Sequence, residues 1–294
     1  MKRLLWLLFC LMCSGGVLAR GGVDAVRKQV EASMLVTGSI VVAQDGSVSS
    51  YTLDQQDKLP PIVLKVIGES LPHWKFDIDI SDFQEYMRIS QAGLLKTRMN
   101  LRLVAIPVDD KNLSVSITEA SFGKSASGQT ASADTMSEKD VVKPRYPPRS
   151  LQDGVTGTVY VEARIGRDGK VVDLIARQVN LRVLANENDM AIFRNDLAKA
   201  ALEAVKQWTF NVPTSGSEAA QPYLYAIIPI NFCQRDCDVL ELNGKWTGYV
   251  PGPSMPIPWH DGDKATSGSS DAIPSGVVFQ SDHRLKLLTP PSSG

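Results

Sequence analysis

Two cysteines four positions apart are the residues of this sequence whose type and spacing best suit covalent chemistry. Cys233 and Cys237 are the only cysteines that remain once an N-terminal leader containing Cys10 and Cys13 is removed. Their spacing is one residue wider than the C-x-x-C of redox enzymes, which favours a structural disulfide in an oxidising compartment. Two unpaired thiols are the alternative. A metal site is not expected, because the chain has three histidines and none lies near this pair.

The sequence shows no recognisable catalytic motif. It has no nucleophile elbow, no phosphate-binding Gly loop before a helix, and no His beside a Ser or Cys in a plausible turn. Glu187, Asp189 and Asp196 lie close together in sequence, and helix capping and solvation are their expected roles. We therefore expect a chain that is not an enzyme and that has no cofactor.

The N-terminus has the three parts of a secretory signal peptide. Lys2 and Arg3 precede an apolar run of ten residues, and small residues up to Ala19 follow. This run is shorter than the roughly 20 residues that a membrane-spanning helix needs. Residues 1–19 are therefore expected to be cleaved on export, and a retained membrane anchor is the alternative.

Composition and charge exclude one class of partner. The chain has 294 residues, of which 43% are hydrophobic and 21% charged, enough for two ordinary cores. The formal net charge is -1, and no basic stripe is present. Nucleic acid is not an expected partner, because phosphate binding depends on clustered Lys and Arg.

The pattern between residues 146 and 232 predicts one small α+β unit. Alternating polar and apolar residues predict a strand at 157–165 and a second at 171–179, joined by a tight turn at Asp168-Gly169. A last strand is predicted from Tyr223 to Phe232. Between them, apolar residues spaced by three and four predict a helix with Asp196 as its N-cap. These residues are Leu197, Ala201, Ala204, Val205 and Trp208.

An ordered set of motifs runs through this unit. It comprises Tyr146-Pro147, Gly157 with Val159 and Val161, Asp168-Gly169 with Val171, Trp208-x-Phe210, and a closing Ile228-Pro229-Ile230-x-Phe232. The set resembles the C-terminal domain of the TonB family of periplasmic energy transducers. The resemblance implies an antiparallel sheet with a helix on one face, and a periplasmic location. Residues 180–194 depart from it, because the family usually has a short turn there.

Residues 20–122 carry a weaker copy of the same motifs. Thr-Gly, Asp-Gly-x-Val, Trp-x-Phe and Ile-Pro begin at residues 37, 45, 74 and 106, and again at 156, 168, 208 and 228. The shared order predicts an internal duplication; chance similarity of two small domains is the alternative. The first strand of this copy is expected to be about four residues shorter than its counterpart. The aromatic residues of both Trp-x-Phe motifs are expected to close the cores.

The predicted fold class is therefore α+β, with two small antiparallel sheets that each carry a helix on one face. A first unit (residues 20–122) and a second unit (residues 143–237) are joined by residues 123–142, whose Ser, Ala, Thr and Gly content predicts a flexible linker. The C-terminal segment, residues 238–294, is rich in Pro, Gly and Ser. It is expected to be disordered, because it has few apolar residues to offset the entropy of ordering.

The last strand of the second unit is the predicted interaction site. In a small sheet this strand is expected at an edge, and Pro229 is compatible with an edge because it has no N–H to donate. An exposed edge can pair with a strand of another chain. TonB-like domains bind a short extended segment of outer-membrane receptors in this way. The pairing residues that the resemblance implies are Tyr223, Leu224, Tyr225, Ala226 and Ile227.

The partner implied is an outer-membrane TonB-dependent receptor or another envelope protein, and a role in energy-coupled transport is left open. The alternative is a structural protein of the cell envelope whose edge strands mediate self-association without energy coupling, so a homo-oligomer is also left open. Contact with the membrane is expected only if the leader is retained.

Overall fold

The computed structural model describes residues 22–79, 93–109, 112–125, 133–234, 244–259, 270–281 and 284–292. The fold is mixed α/β, with mostly antiparallel strands and few helices. No helix among the described residues is long and apolar enough to cross a membrane. The predicted signal peptide, residues 1–19, lies outside the described residues.

The first unit is built on three long antiparallel strands. Its elements are α1 (Val23–Arg27), β1 (Glu31–Ala43), β2 (Val48–Leu53), α2 (Pro61–Ser70), β3 (Phe76–Ile78), β4 (Leu94–Pro107) and β5 (Leu113–Ser125). β1 pairs with β2 and β4, and β4 pairs with β5. β1 has 13 residues, so the expectation of a shortened first strand is wrong.

The second unit repeats the order of strand, hairpin, strand, helix and strand. Its elements are β6 (Ser137–Asp140), α3 (Pro148–Gln152), β7 (Gly157–Gly166), β8 (Val171–Leu181), α4 (Glu187–Val205), β9 (Thr209–Asn211) and β10 (Tyr223–Phe232). β7 pairs with both β8 and β10. The predicted hairpin and last strand are confirmed, because both depend on short-range patterns that the fold preserves.

The helix of the second unit begins well before its predicted start. Asn186 is the N-cap, and its side-chain oxygen accepts a hydrogen bond from the N–H of Asp189 at 3.0 Å. Asp196, the predicted cap, lies inside α4. Met190 and Phe193 are buried and extend the apolar face toward the N-terminus. Most of the segment predicted as an inserted loop is therefore helix.

Both units contain the same contact between a turn and a Trp-x-Phe motif. The N–H of Phe76 donates to the carbonyl of Gly46 at 2.9 Å, and the N–H of Phe210 donates to that of Gly169 at 2.8 Å. Both glycines have positive φ, 76° and 77°. A Cβ on either would lie 2.1–2.2 Å from the Phe carbonyl oxygen, so only glycine fits this close approach.

The described part of the C-terminal segment is ordered, contrary to the prediction. It contributes β11 (Trp246–Tyr249), β12 (Phe279–Ser281) and β13 (Leu285–Leu287). β11 pairs with β1, β13 pairs with β3, and β12 lies between β5 and β10. These strands add to sheets that already exist, so backbone pairing and a few buried apolar side chains order a segment whose own composition is poor in apolar residues.

This segment also merges the two units into one sheet, where two separate sheets were expected. The strand order is β11-β1-β4-β5-β12-β10-β7-β8, with β2 also paired to β1. Val250, directly after β11, exchanges backbone hydrogen bonds of 2.7 and 3.1 Å with Leu181 at the end of β8. The last strand of the order therefore meets the first, and the nine-stranded sheet closes into a ring.

The segment predicted as a linker is partly regular structure. Residues 126–132 lie outside the described residues. β5 extends to Ser125, and β6 pairs with β9. Met136 and Ser137 are buried, because β6 covers the end of the second-unit core.

Each unit has its own apolar core on one face of the sheet. In the first, Trp74, Phe76 and Phe122 form edge-to-face contacts with ring centres 5.0–6.2 Å apart. In the second, Trp208 and Phe210 are buried beside α4. The predicted core roles of both Trp-x-Phe motifs are confirmed. The opposite face of the sheet lines the inside of the ring.

Candidate strand-binding site and polar ring interior

The predicted interaction strand β10 has neighbours on both sides. All of it pairs with β7, from Tyr223 opposite Gly166 to Phe232 opposite Gly157. On the other side, Ile227 pairs with Phe279 of β12. β10 is therefore not an edge strand, and that prediction is wrong. The returning C-terminal segment, which composition alone does not place, occupies the side that was expected to be open.

The backbone direction along β10 shows which residues face β12. The carbonyl of Pro229 accepts a hydrogen bond from the N–H of Gly276 at 3.4 Å. Backbone groups two residues apart in a strand point the same way, so those of Ile227, Tyr225 and Tyr223 also point toward the β12 side. The missing N–H of Pro229 falls on this side as well, which is why the pairing of β10 with β7 continues through the proline.

The five predicted pairing residues differ in what their side chains can contact. Leu224 and Ala226 belong to the second-unit core and are buried, and their backbone groups point to β7, so neither residue faces a partner on the β12 side. Ile227 is buried in a separate small cluster. Tyr223 is 37% exposed and Tyr225 is half-buried. The two tyrosines therefore carry the side-chain surface of this strand.

Tyr223 is held by a neighbouring cation. The guanidinium of Arg164, on β7, lies 4.5 Å from the centre of the Tyr223 ring. The same guanidinium forms an ion pair with Asp173 and lies 5.9 Å from the ring centre of Trp259. Cation–π contact of this kind restricts the tyrosine without burying it.

β12 is more extensively paired with β5 than with β10. Phe279, Gln280 and Ser281 pair with Ser125, Lys124 and Gly123 of β5 in turn. A Cβ on Gly123 would lie 2.0 Å from the carbonyl oxygen of Gln280, so a glycine is required where the two strands approach.

On the β10 side, the contact of β12 is small. Phe279 packs with Ile227 and Ile273 in a cluster of three buried residues. The Gln280 side chain donates a hydrogen bond to Glu218 Oε2 at 2.8 Å.

A buried charge cluster lies inside the ring, and no pattern in the sequence predicted it. Arg102 of β4 is buried and forms an ion pair with Glu31, with further carboxylates at 3.8 Å (Glu119) and 3.7 Å (Asp271). Its guanidinium also lies 5.2 Å from the centre of the Tyr249 ring. Burial by itself lowers the pKa of Arg102, but the surrounding acidic groups, Asp271 foremost, raise it overall. Arg102 is therefore a permanent charge.

Asp271 connects this cluster to the second unit. Its Oδ2 accepts hydrogen bonds from the side-chain amides of Gln178 and Asn180, both at 3.2 Å. Because Gln178 and Asn180 lie on β8 and Arg102 on β4, one carboxylate from the C-terminal segment bridges the two units. Alternation of polar and apolar residues along each strand is the only sequence signal for this interior.

Of two cavities, the smaller one borders the cluster at Asp271 and Tyr249. One of about 80 Å³ is lined by polar groups that include Tyr160, Asn180 and Arg182. Burial lowers the pKa of Arg182 and raises that of Tyr160. The other, of about 360 Å³, is lined partly by Phe279 of β12 and by Asn100. β12 therefore forms part of the wall of the larger cavity.

The predicted disulfide is not tested by the described residues. Cys233 directly follows β10, whereas Cys237 lies outside the described residues, so their pairing stays a prediction. Within the ranges that the structure describes, no group of three His, Cys, Asp or Glu side chains could hold a metal ion. Glu187 and Asp189 lie in the first turn of α4, where acidic side chains favour the helix dipole.

Comparison with known proteins finds a distant similarity to TonB. Two curated relatives named Protein TonB, from two strains of Xanthomonas campestris pv. campestris, are 29% identical to this chain over 103 residues. The match covers 35% of this chain, and the chain spans 39% of the length of these relatives. No family model and no solved structure matches. The similarity supports a TonB-like relationship at a distance.

Proposed function

We propose that this chain is a TonB-like protein of the bacterial envelope that binds an extended segment of a partner protein by strand addition to β10. The distant similarity to TonB supports the envelope assignment. One observation carries the binding mode: a strand from outside the β7–β8–β10 group already lies against β10 at Ile227. This side of β10 therefore accepts a strand, although in the structure the strand comes from the same chain.

The proposed contact combines backbone pairing with two aromatic side chains. A partner segment beside Ile227 that continues toward Tyr223 runs along the side of β10 to which the backbone groups of Ile227 and Tyr223 point. Main-chain hydrogen bonds supply affinity in this mode of recognition, and alternate side chains supply selectivity. Tyr223, exposed and oriented by Arg164, is the side chain best placed to discriminate between partners.

Comparison of the two units supports the second one as the proposed binding unit. The matching turn contacts at Gly46 and Gly169 support a common origin of the units. β4 then corresponds to β10, and β5 lies along β4 from Arg98 to Pro107. In the second unit, the three-residue β12 takes the place that the long β5 has in the first. The binding side of the first unit is thus filled by a full strand, and that of the second by a short one.

Peptide binding to the mature protein tests this function. Peptides from the N-terminal segments of outer-membrane receptors are titrated against the full chain. We expect saturable binding that Tyr223→Ala weakens and that Trp246→Ala, at an aromatic residue of equal exposure on β11, leaves unchanged. If no extended peptide binds while the protein self-associates through β10, the structural alternative replaces the binding function.

Export and the disulfide form part of the proposal and have their own test. A periplasmic protein should begin after Ala19. If Cys233 and Cys237 are paired, reduction should raise its mass by the two hydrogen atoms that one disulfide takes up. Intact mass of the protein purified from cells, measured with and without reductant, checks both. Full-length mass in the membrane fraction would point instead to a retained anchor.

A further inference from the structure

β12 is tethered at both ends but held weakly in the middle. Before it, β11 pairs with β1 and Val250 with Leu181. After it, β13 pairs with β3, and the carbonyl of Pro291 accepts a hydrogen bond from Trp74 Nε1 at 3.0 Å. β12 can therefore leave its position without release of the C-terminal segment, and it remains at a high effective concentration when it does.

β12 itself contributes one apolar side chain to its contact with β10. Phe279 packs with Ile227 and Ile273 in a separate cluster of three buried residues, while Val278, directly before β12, is buried in the second-unit core. One residue pair joins β12 to β10. Elements with few apolar contacts and short pairing open at low free energy relative to the core, so β12 is suited to exchange with another strand.

The position of Phe279 gives the chemistry of the strand that fits. Its side chain fills the space beside Ile227 and forms a wall of the cavity of about 360 Å³, together with Pro274 and Val277. Next along the strand, the Gln280 side chain donates to Glu218. The site therefore takes a large apolar side chain, followed by one that carries a hydrogen-bond donor.

We propose that β12 is an intramolecular substitute for the partner strand: it occupies the acceptor side of β10 until a partner segment of similar pattern displaces it. This inference rests on the proposed function and specifies its ligand. The partner segment runs antiparallel to β10, as β12 does. It carries a large apolar residue opposite Ile227 and a donor side chain next to it, directed at Glu218.

A reversible lock tests the displacement. Lys124 and Gln280 are direct partners on β5 and β12, and antiparallel partners have Cα separations of about 4.5–5.5 Å, within the range that a disulfide spans. The double variant Lys124→Cys/Gln280→Cys is prepared oxidised and reduced. Ser33→Cys/Thr247→Cys, at a paired position of β1 and β11, is the control that locks the segment elsewhere, and the unmodified chain with reductant controls for the native cysteines.

Two labelled probes are titrated against each form: a receptor N-terminal peptide and a peptide of residues 276–281 (Gly-Val-Val-Phe-Gln-Ser). We expect both to lose binding to the oxidised lock, to regain it on reduction, and to compete with each other. Replacing Phe by Ala in the second peptide should weaken it about tenfold or more, as loss of a central apolar anchor does. The oxidised control lock should bind as the unmodified chain does.

Freeing β12 should have the opposite effect. Phe279→Ala removes the anchor of β12, and Gln280→Ala removes its side-chain hydrogen bond to Glu218; either change should tighten binding of both probes. Both changes leave β5, β10 and Glu218 unchanged, so the position that a probe would take stays available. Hydrogen exchange at residues 279–281 reports release of β12, and far-UV circular dichroism reports that the fold is retained.

The outcomes separate the two proposals. Equal binding of the receptor peptide to the locked and reduced forms would overturn the displacement and leave strand binding to be located elsewhere. Failure of both probes to bind any form, including the freed variants, would overturn the proposed function with it. Binding of the 276–281 peptide to the freed forms alone, with no binding of receptor peptides, would support the substitute strand and reject receptors as the partner.

Discussion

Replacing Asp271 by Asn should weaken the whole ring, because this carboxylate connects the two units. Its side chain is 2% exposed and lies 3.7 Å from Arg102, whose side chain is 8% exposed. Breaking a buried ion pair by removing one partner costs about 3–5 kcal/mol. Arg102 keeps Glu31 and Glu119 as partners, so we expect the lower end, a loss of about 3 kcal/mol in the free energy of unfolding.

Urea unfolding of Asp271→Asn, Arg102→Met and the double variant measures this loss. If the two groups interact as the distances indicate, the double variant should lose less than the sum of the single losses, by about 1 kcal/mol or more. Glu69→Gln, which removes an exposed ion pair with Lys65 on α2, is the control and should change stability by less than about 1 kcal/mol.

The reasoning is refuted if Asp271→Asn unfolds with the same free energy as the unmodified chain, or if the cycle shows no coupling. A second readout links the interior to the proposed site. Because Asp271 lies in the C-terminal segment, its loss should also raise hydrogen exchange at residues 279–281 relative to the core strands.

Three further changes have expected outcomes of different kinds. Trp208→Ala should cost about 3–5 kcal/mol in unfolding free energy, as large-to-small core changes do, and thermal unfolding would show a loss far below this if the residue were a surface contact. Asn186→Ala should cost about 1 kcal/mol by removing the N-cap of α4, measured by the same unfolding, with Asn186→Asp as the control that keeps an acceptor. Asp54 has its pKa lowered from 3.8, first by the hydrogen bond from Arg98. The stabilisation from the Asp54 carboxylate is therefore fully present above pH 3.8 and is lost as the pH falls through the folded-state pKa. Asp54→Asn should make the urea midpoint depend less on pH in this acidic range. An unchanged pH dependence would exclude this ion pair as a cause.

Local patterns were sufficient for the elements that fold from neighbouring residues. The hairpin at Asp168-Gly169 and the strand Tyr223–Phe232 follow from turn chemistry and short-range periodicity. The start of α4 was missed, although Met190, Phe193 and Leu197 continue the spacing of three and four. The departure from the family in this segment favoured a loop, and the N-cap at Asn186 was overlooked.

Long-range pairing is what the sequence did not reveal. Composition describes how much apolar surface a segment can bury by itself, and by that measure residues 238–294 should not fold. β11, β12 and β13 instead complete strands formed elsewhere. The candidate site on β10 stays a prediction, and the sequence indicated neither β12 beside it nor the polar interior around Arg102.

A partner strand that replaced β12 in the ring could form backbone hydrogen bonds on both of its sides. β12 runs antiparallel to both β10 and β5, so a strand in its position lies between two acceptors, whereas a strand added to a simple edge meets one. Alternate residues of a strand direct their backbone groups to opposite neighbours. N-methylation of the peptide at every second residue should therefore remove its backbone hydrogen bonds to β10. N-methylation at the intervening residues should remove its backbone hydrogen bonds to β5. Weakening by both sets supports insertion between the two strands, whereas weakening by one set alone would mean that the partner adds to β10 without replacing β12.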